Sequence, residues 1–127
     1  NKFKGSKYAK DSSNRLIFLR NSMANHEVYV AEYYLKRGAY VASSQRARFM
    51  LENYPGAPAS EKALIVLIES YNNLQMYELA KDSADILVAT YPNYTYSLDT
   101  NNSIKINNIN NPDVNTQKNS FFGLGLF

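Results

Sequence analysis

Two stretches of this chain repeat one another at a spacing of 37 residues. Tyr34, Tyr40 and Tyr54-Pro55 return as Tyr71, Tyr77 and Tyr91-Pro92. Val30 answers to Leu67, Ala47 to Ala84, and Met50-Leu51 to Leu87-Val88. An internal period of this size marks a helical solenoid, whose units bury their apolar faces only against their neighbours. The consequence reaches function: stacked helix pairs present a concave surface to other proteins and enclose little space for chemistry.

Gly and Pro punctuate the helices. Gly5, Gly38, Pro55-Gly56, Pro58 and Pro92 are the main breakers, and between Gly5 and Gly38 there is neither residue type. Asp11, Ser12 or Ser13 can cap a first helix. Leu16, Leu19, Met23, Val30, Ala31 and Tyr34 follow near helical spacing. Gly38 suits the left-handed position that ends a helix. Further helices are expected from about Tyr40 to Asn53, Ala59 to Leu74 and Tyr77 to Tyr91. The third carries Leu64, Leu67, Ile68 and Tyr71 on one face. The fourth carries Ala80, Ala84, Leu87, Val88 and Tyr91, the cleanest amphipathic stripe in the chain.

The first helix is too long for its repeat. Phe3-Lys4-Gly5 parallels Tyr54-Pro55-Gly56 at an offset of 51, an excess of 14 residues over the period. That excess is about four helical turns, so the apolar stripe returns to nearly the same face. One continuous helix of roughly 27 residues is therefore expected, without a break at Asn21 to Asn25. The expected organisation is 1–10 as the end of a preceding repeat, 11–56 as a unit with an extended first helix, 57–94 as a second unit, and 95–127 as a tail. The chain reads as the C-terminal half of a longer protein, so its lack of a leader or lipidation box is uninformative.

Composition narrows the function. The 127 residues suffice for one modest domain, and 45% of them are hydrophobic. No apolar run is long enough to span a membrane as a helix. The net charge of +3 is too mild for a nucleic-acid footprint. With no Cys there is no disulfide, thiol nucleophile or Cys-ligated metal. His26 is the single His, and packing or solvent exposure outweighs a metal or base role for it. Glu27, Glu32, Asp82 and Asp85 have no Gly-rich loop or nucleophile elbow with them, and read as a solvated helix face. Catalytic, cofactor and metal sites are all expected to be absent. The 11 Tyr fall mostly on repeat positions, which favours packing over base stacking. Lys2, Lys4, Lys7, Lys10, Arg15 and Arg20 make the first twenty residues basic, a solubilising edge or a contact with acidic surfaces.

The period contains a unit that resembles the tetratricopeptide repeat. Ala31, Tyr34, Gly38, Tyr40, Ala47 and Pro55 supply its pattern first, and Ile68, Tyr71, Tyr77, Ala80, Ala84 and Pro92 supply it again. Ser43, Ile68 and Gln75 depart from it. Small residues let paired helices approach while aromatics fill the flanking space. The fold class expected is all-α, a tetratricopeptide-type solenoid with one extended helix and a low-complexity C-terminal tail.

A more specific likeness covers roughly residues 3 to 92. The run Ser6-Lys7-Tyr8-Ala9-Lys10-Asp11, then Arg15-Leu16 and Phe18-Leu19, then Val30-Ala31-Glu32-Tyr33-Tyr34, then Arg37-Gly38-Ala39-Tyr40-Val41-Ala42, Arg46 and Tyr54-Pro55 resembles the BamD family. These are tetratricopeptide lipoproteins of the outer-membrane β-barrel assembly machine. The resemblance implies a non-catalytic scaffold on the periplasmic face of the bacterial outer membrane. It implies docking to the periplasmic domain of a barrel partner and to accessory lipoproteins, with an N-terminal lipid anchor outside this chain as the only membrane contact. The alternatives are a generic tetratricopeptide adaptor, another cell-envelope repeat protein and, more remotely, an enzyme with an upstream domain.

Candidate contacts follow from register. Arg37 ends the first helix, where a cation also complements the helix dipole. Arg46 lies mid-helix at a position that matches the family, able to pair bidentately with a partner carboxylate. Arg48 reads as plain surface. The groove is expected to show Val28, Glu32, Leu35 and Lys36 from the first unit and Lys62, Ile65, Glu69, Asn72 and Asn73 from the second. Val28 and Glu32 stand where a carboxylate clamp would need basic or amide groups, so an extended peptide or domain edge fits better.

Beyond Leu98 the composition turns Asn-rich, and a disordered tail is expected. It ends in an apolar anchor of Phe121, Phe122, Leu124, Leu126 and Phe127, which either folds back on the solenoid or docks on a partner.

Overall fold

The computed structural model describes residues 2–110, with side chains described from Lys10 onward. Four helices come first: α1 (Lys2–Lys36), α2 (Tyr40–Asn53), α3 (Ser60–Asn73) and α4 (Tyr77–Thr90). Two strands follow, β1 (Tyr94–Leu98) and β2 (Ile104–Asn108). Each helix packs on the next, and α1 also reaches α3. The short connections make consecutive helices run back on one another.

The chain therefore folds as four packed helices and one hairpin. The core is built from small and branched residues on facing stripes. α1 contributes Ala24, Val28, Ala31 and Leu35, at spacings of four, three and four. α2 contributes Ala47 and Met50, and α4 contributes Ala80, Ala84 and Leu87. α3 has neighbours on several sides and buries Ala63, Leu64, Val66, Leu67, Ile68 and Tyr71, with Glu69 and Ser70. Ser43, fully enclosed on α2, donates to the Ala31 carbonyl at 2.8 Å, so its hydroxyl is satisfied where alanine is the usual small residue.

Two turns share one conformation at the repeat spacing. Gly38 (φ 78°) ends α1, and Gln75 (φ 60°) stands 37 residues later after α3. Ala39 N–H donates to the Tyr34 carbonyl, and Met76 N–H donates in the same way to Tyr71. Glycine takes the left-handed region without strain, whereas a side chain there costs about 1–2 kcal/mol.

α1 is one unbroken helix through Asn21 to Asn25, as its lack of breakers implies. It is longer than expected. It starts at Lys2, carries Gly5 in its interior, and holds Asp11, Ser12 and Ser13 mid-helix and not at a cap. Once a nucleus is packed, each further residue adds one hydrogen bond and the helix propagates. The buried stripe also differs from the expected one. Leu16, Leu19 and Met23 are exposed, while Ala24 and Val28 are enclosed, because α2 covers α1 only along its C-terminal half.

The expectation of a disordered stretch beginning at Leu98 is corrected. β1 and β2 pair antiparallel, from Tyr94 opposite Asn108 to Leu98 opposite Ile104. Asn102 takes a left-handed conformation (φ 69°) in the connecting loop, and its N–H closes a turn onto the Asp99 carbonyl. Asn is among the few side-chain-bearing residues that tolerate this region. Tyr94, Ile104 and Ile106 are buried against the helices. The fold is mostly helical and not wholly so. The proposed anchor at Phe121, Phe122, Leu124, Leu126 and Phe127 lies outside the described residues.

Candidate interaction surface

The outer side of α1 carries a stripe of aromatic and basic side chains. Tyr29, Tyr33 and Arg37 recur every four residues and all are exposed, Tyr29 to 70%. The Arg37 guanidinium lies 4.7 Å from the centre of the Tyr33 ring, and Tyr34 meets Tyr33 edge to face at 5.8 Å. The cation–π contact restrains the Arg37 side chain while the residue stays exposed. Lys36 completes a basic final turn, where cations also complement the helix dipole.

Arg46 is already engaged inside the chain. Its Nη1 donates to Glu27 Oε2 at 3.1 Å, tying α2 to α1. The Glu27 side chain is only 15% exposed and that of Arg46 is 48% exposed, so one edge of the guanidinium still meets solvent. Arg48 pairs with Glu52 one turn along at 3.7 Å on an exposed face, a contact of little energetic weight. Arg20 Nη2 donates to the Pro55 carbonyl at 2.6 Å and fixes α1 against the α2–α3 connection. Val41 and Phe49 leave exposed apolar area on α2.

The residues assigned to a groove do not form one surface. Val28 and Leu35 belong to the buried stripe of α1, on the face that meets α2, and are not accessible. Glu69 is buried at 5% exposure within α3. Asn72 is used internally: its Nδ2 donates to the Ile104 carbonyl at 2.8 Å, and its Oδ1 accepts from Ile104 N–H at 2.9 Å. Asn73 Nδ2 donates to the Glu69 carbonyl one turn back. Ile65 and Glu32 are half-buried, and Lys36 and Lys62 are exposed.

The hairpin is held by two further side chains. Tyr94 Oη donates to Glu61 Oε1 at 2.5 Å, and Tyr96 Oη donates to Asp85. Burial, then the bond to Glu61, pushes the Tyr94 phenol up to about 12. The bond to Asp85 raises Tyr96 as well. Both tyrosines are neutral donors at physiological pH.

Tyr29 and Tyr33 were not among the candidate residues, although their spacing with Arg37 is visible in the sequence. Among the described residues no three His, Asp or Glu side chains cluster to hold a metal ion, and no helix is long and apolar enough to cross a membrane. What the exposed stripe presents is aromatic rings, a guanidinium and a lysine.

Residues 1–86 match the family model YfiO, described as an outer membrane lipoprotein. The chain is similar to outer membrane protein assembly factor BamD of Neisseria gonorrhoeae, at 35% identity over 91 residues, covering 72% of this chain and 34% of that protein. BamD of Xylella fastidiosa (strain Temecula1) is 36% identical over 95 residues, covering 75% and 32%. BamD of Pasteurella multocida is 37% identical over 87 residues, covering 68% and 34%. The chain thus spans about a third of the length of these relatives.

Proposed function

This chain belongs to the YfiO and BamD family of outer membrane lipoproteins, and we propose that it is a non-catalytic docking segment of an outer-membrane β-barrel assembly machine. The single observation that carries this reading is the family match, which runs through all of α1, α2 and α3 and most of α4. On this reading the four helices are consecutive tetratricopeptide-type units of a solenoid. The equal geometry of the Gly38 and Gln75 turns at the repeat spacing supports that assignment.

The work of such a segment is recognition. Arg37 and Arg46 are the residues proposed to meet partner carboxylates, with Tyr33 against Arg37 and Tyr29 one turn further back adding aromatic area on α1. Arg37 is pre-oriented by the Tyr33 ring, so little side-chain entropy is lost when it pairs. Arg46 is half-exposed while Glu27 holds its Nη1, so its remaining N–H groups can donate to a partner carboxylate without leaving Glu27. Of the other candidate positions, Lys36, Lys62 and Asn73 are exposed and Glu32 and Ile65 are partly so, which leaves them accessible to a partner. The proposed partners are the periplasmic domain of the barrel component and accessory lipoproteins, at the periplasmic face of the outer membrane.

Photo-crosslinking in the host bacterium tests the assignment. A crosslinking amino acid in place of Tyr33 or Arg37, in the longer protein that contains this chain, is expected to capture an outer-membrane barrel protein through its soluble domain. The same group in place of buried Leu67 is expected to capture nothing. Capture of cytosolic proteins alone from both surface positions would refute the reading.

A further inference from the structure

The loop that joins β1 to β2 carries a modification signal. Asp99-Thr100-Asn101-Asn102-Ser103 has the form Asp-x-Asn-x-Ser. An asparagine followed two places later by Ser or Thr, with any residue but Pro between, is the acceptor pattern for an N-linked glycan. The bacterial form of this pattern adds an acidic residue two places before the asparagine. Asp99 supplies it, and a carboxylate there can pair with a cationic side chain of a transferase. Asn93-Tyr94-Thr95 has the simple pattern as well, with Tyr91 where the acid would stand. Three-residue patterns arise easily where asparagine is abundant, so the structural setting has to decide between them.

The two asparagines differ in that setting. Leu98 opposite Ile104 is the last pair of the ladder, so Asn101 lies outside it. Asp99, Thr100, Asn101 and Asn102 are all exposed, and Ser103 is half-buried. The loop is closed by its own polar bonds: Asp99 N–H donates to the Ser103 carbonyl at 2.9 Å, and Asn102 N–H donates to the Asp99 carbonyl at 3.0 Å. A loop held in this way opens without exposing apolar core. Asn93 is also exposed, but the next residue, Tyr94, is buried and bonded to Glu61, and Thr95 pairs with Asn107 in the sheet. Drawing Asn93 into a transferase would strip the hairpin from the helices.

The side chain of Asn101 is arranged for the chemistry. Ser103 donates to Asn101 Oδ1 twice, from its backbone N–H at 3.1 Å and from its Oγ at 2.7 Å. A backbone N–H only donates, so the atom it meets is the amide oxygen. Neither bond uses Nδ2, the atom that takes the sugar. Two donors on the oxygen draw electron density out of the amide and make its N–H more acidic. They ease departure of the proton that Nδ2 must lose when it acts as a nucleophile. Alanine in place of Ser103 would lack the hydroxyl donor, whereas threonine would keep it.

We propose that Asn101 is an acceptor for an N-linked oligosaccharide carried on a polyprenyl diphosphate. Asn101 Nδ2 attacks the anomeric carbon of the donor's first sugar. The C–N bond forms as the bond from that carbon to the diphosphate oxygen breaks, and polyprenyl diphosphate leaves with the electron pair. One Nδ2 proton passes to a base of the transferase, and nothing is oxidised or reduced. Asp99 anchors the loop on the transferase, and Ser103 polarises the amide. The setting rests on the reading of this chain as a protein of the periplasmic face, where bacterial N-linked transfer takes place. The chemistry of the loop does not rest on it.

Transfer to the folded 127-residue chain tests the proposal. The chain is incubated with a purified bacterial oligosaccharyltransferase and a polyprenyl-diphosphate-linked oligosaccharide of known mass. Intact-mass and peptide mass spectrometry are expected to show one glycan, on Asn101. Asn101→Gln and Ser103→Ala are expected to abolish it, and Ser103→Thr to keep it. Asp99→Asn is expected to slow transfer about tenfold, the loss of one charge-assisted contact, while Asn93→Gln leaves it unchanged. Circular dichroism is expected to be the same for every variant. The proposal is overturned if the chain takes no glycan, if the glycan goes to Asn93, or if Ser103→Ala is modified as fast as the wild-type chain. The assembly partner takes no part in these measurements, so failure here and failure of the docking reading are told apart.

Discussion

Ala84→Leu places the steric argument for the helix stack under direct test. Ala84 is fully enclosed on α4, on the stripe with Ala80 and Leu87, and it answers to Ala47, also fully enclosed, at the repeat spacing. Leucine adds three carbon atoms. Were there a void, burying them would stabilise the fold by about 2 kcal/mol, at about 0.8 kcal/mol per methylene. A close crossing has no such room, and inserted methylenes then destabilise by about 1–3 kcal/mol. The sign of the change therefore decides between the two cases. For a domain of this size each kcal/mol moves Tm by roughly 4–8 °C, so a fall of about 5–20 °C is expected in a thermal melt followed by circular dichroism. Ile86→Leu, on the exposed side of the same helix, is the control and is expected to leave Tm within about 2 °C. A Tm for Ala84→Leu that is unchanged or raised would refute close packing at that site.

Three other outcomes are expected. The Tyr94 phenol, raised to about 12 by burial and then by Glu61, holds its proton to higher pH in the folded chain than in the unfolded one, whose ordinary value is 10.0. Its contribution is thus complete below pH 10 and is lost as pH rises toward 12; urea midpoints across that range are expected to fall less steeply in Tyr94→Phe. Gln75→Gly relieves a left-handed side-chain position and is expected to stabilise by up to about 1 kcal/mol, whereas Gly38→Ala is expected to destabilise by a similar amount in the same denaturation assay. Ser70 buries a hydroxyl with no hydrogen-bond partner among the described residues, so Ser70→Ala is expected to be neutral or to stabilise by up to about 1 kcal/mol.

The readable parts of this chain were those in which periodicity and punctuation agreed. The stripes Leu64, Leu67, Ile68, Tyr71 and Ala80, Ala84, Leu87 lie on the packed faces of α3 and α4, between Pro58 and Pro92, with the left-handed Gln75 at the turn between the two helices. α1 was harder, because apolar residues surround it at Leu16 to Leu19 and no single face stands out there. Only the reach of α2 selects Ala24, Val28, Ala31 and Leu35 as its buried side. That choice moved Val28 and Leu35 out of the candidate surface. Arg37 could be placed on the surface from the helix end alone, while the internal pairing of Arg46 with Glu27 depends on how two helices are rotated. The hairpin was hidden by asparagine content. Its period-two pattern, Tyr94, Tyr96, Leu98 and then Ile104, Ile106, surrounds an Asp99–Ser103 turn and could have been found by testing for alternation.

The central claim is that the chain docks partners in assembling outer-membrane barrels, and the abundance of folded barrels in the host tests it most directly. Cells that carry Arg37→Glu and Arg46→Gln in the longer protein are expected to keep that protein at its normal level and to lose heat-modifiable, folded outer-membrane barrels. Restoration is expected when either site is returned to arginine. Normal barrel levels in the double variant, with normal levels also after depletion of the whole protein, would contradict the account.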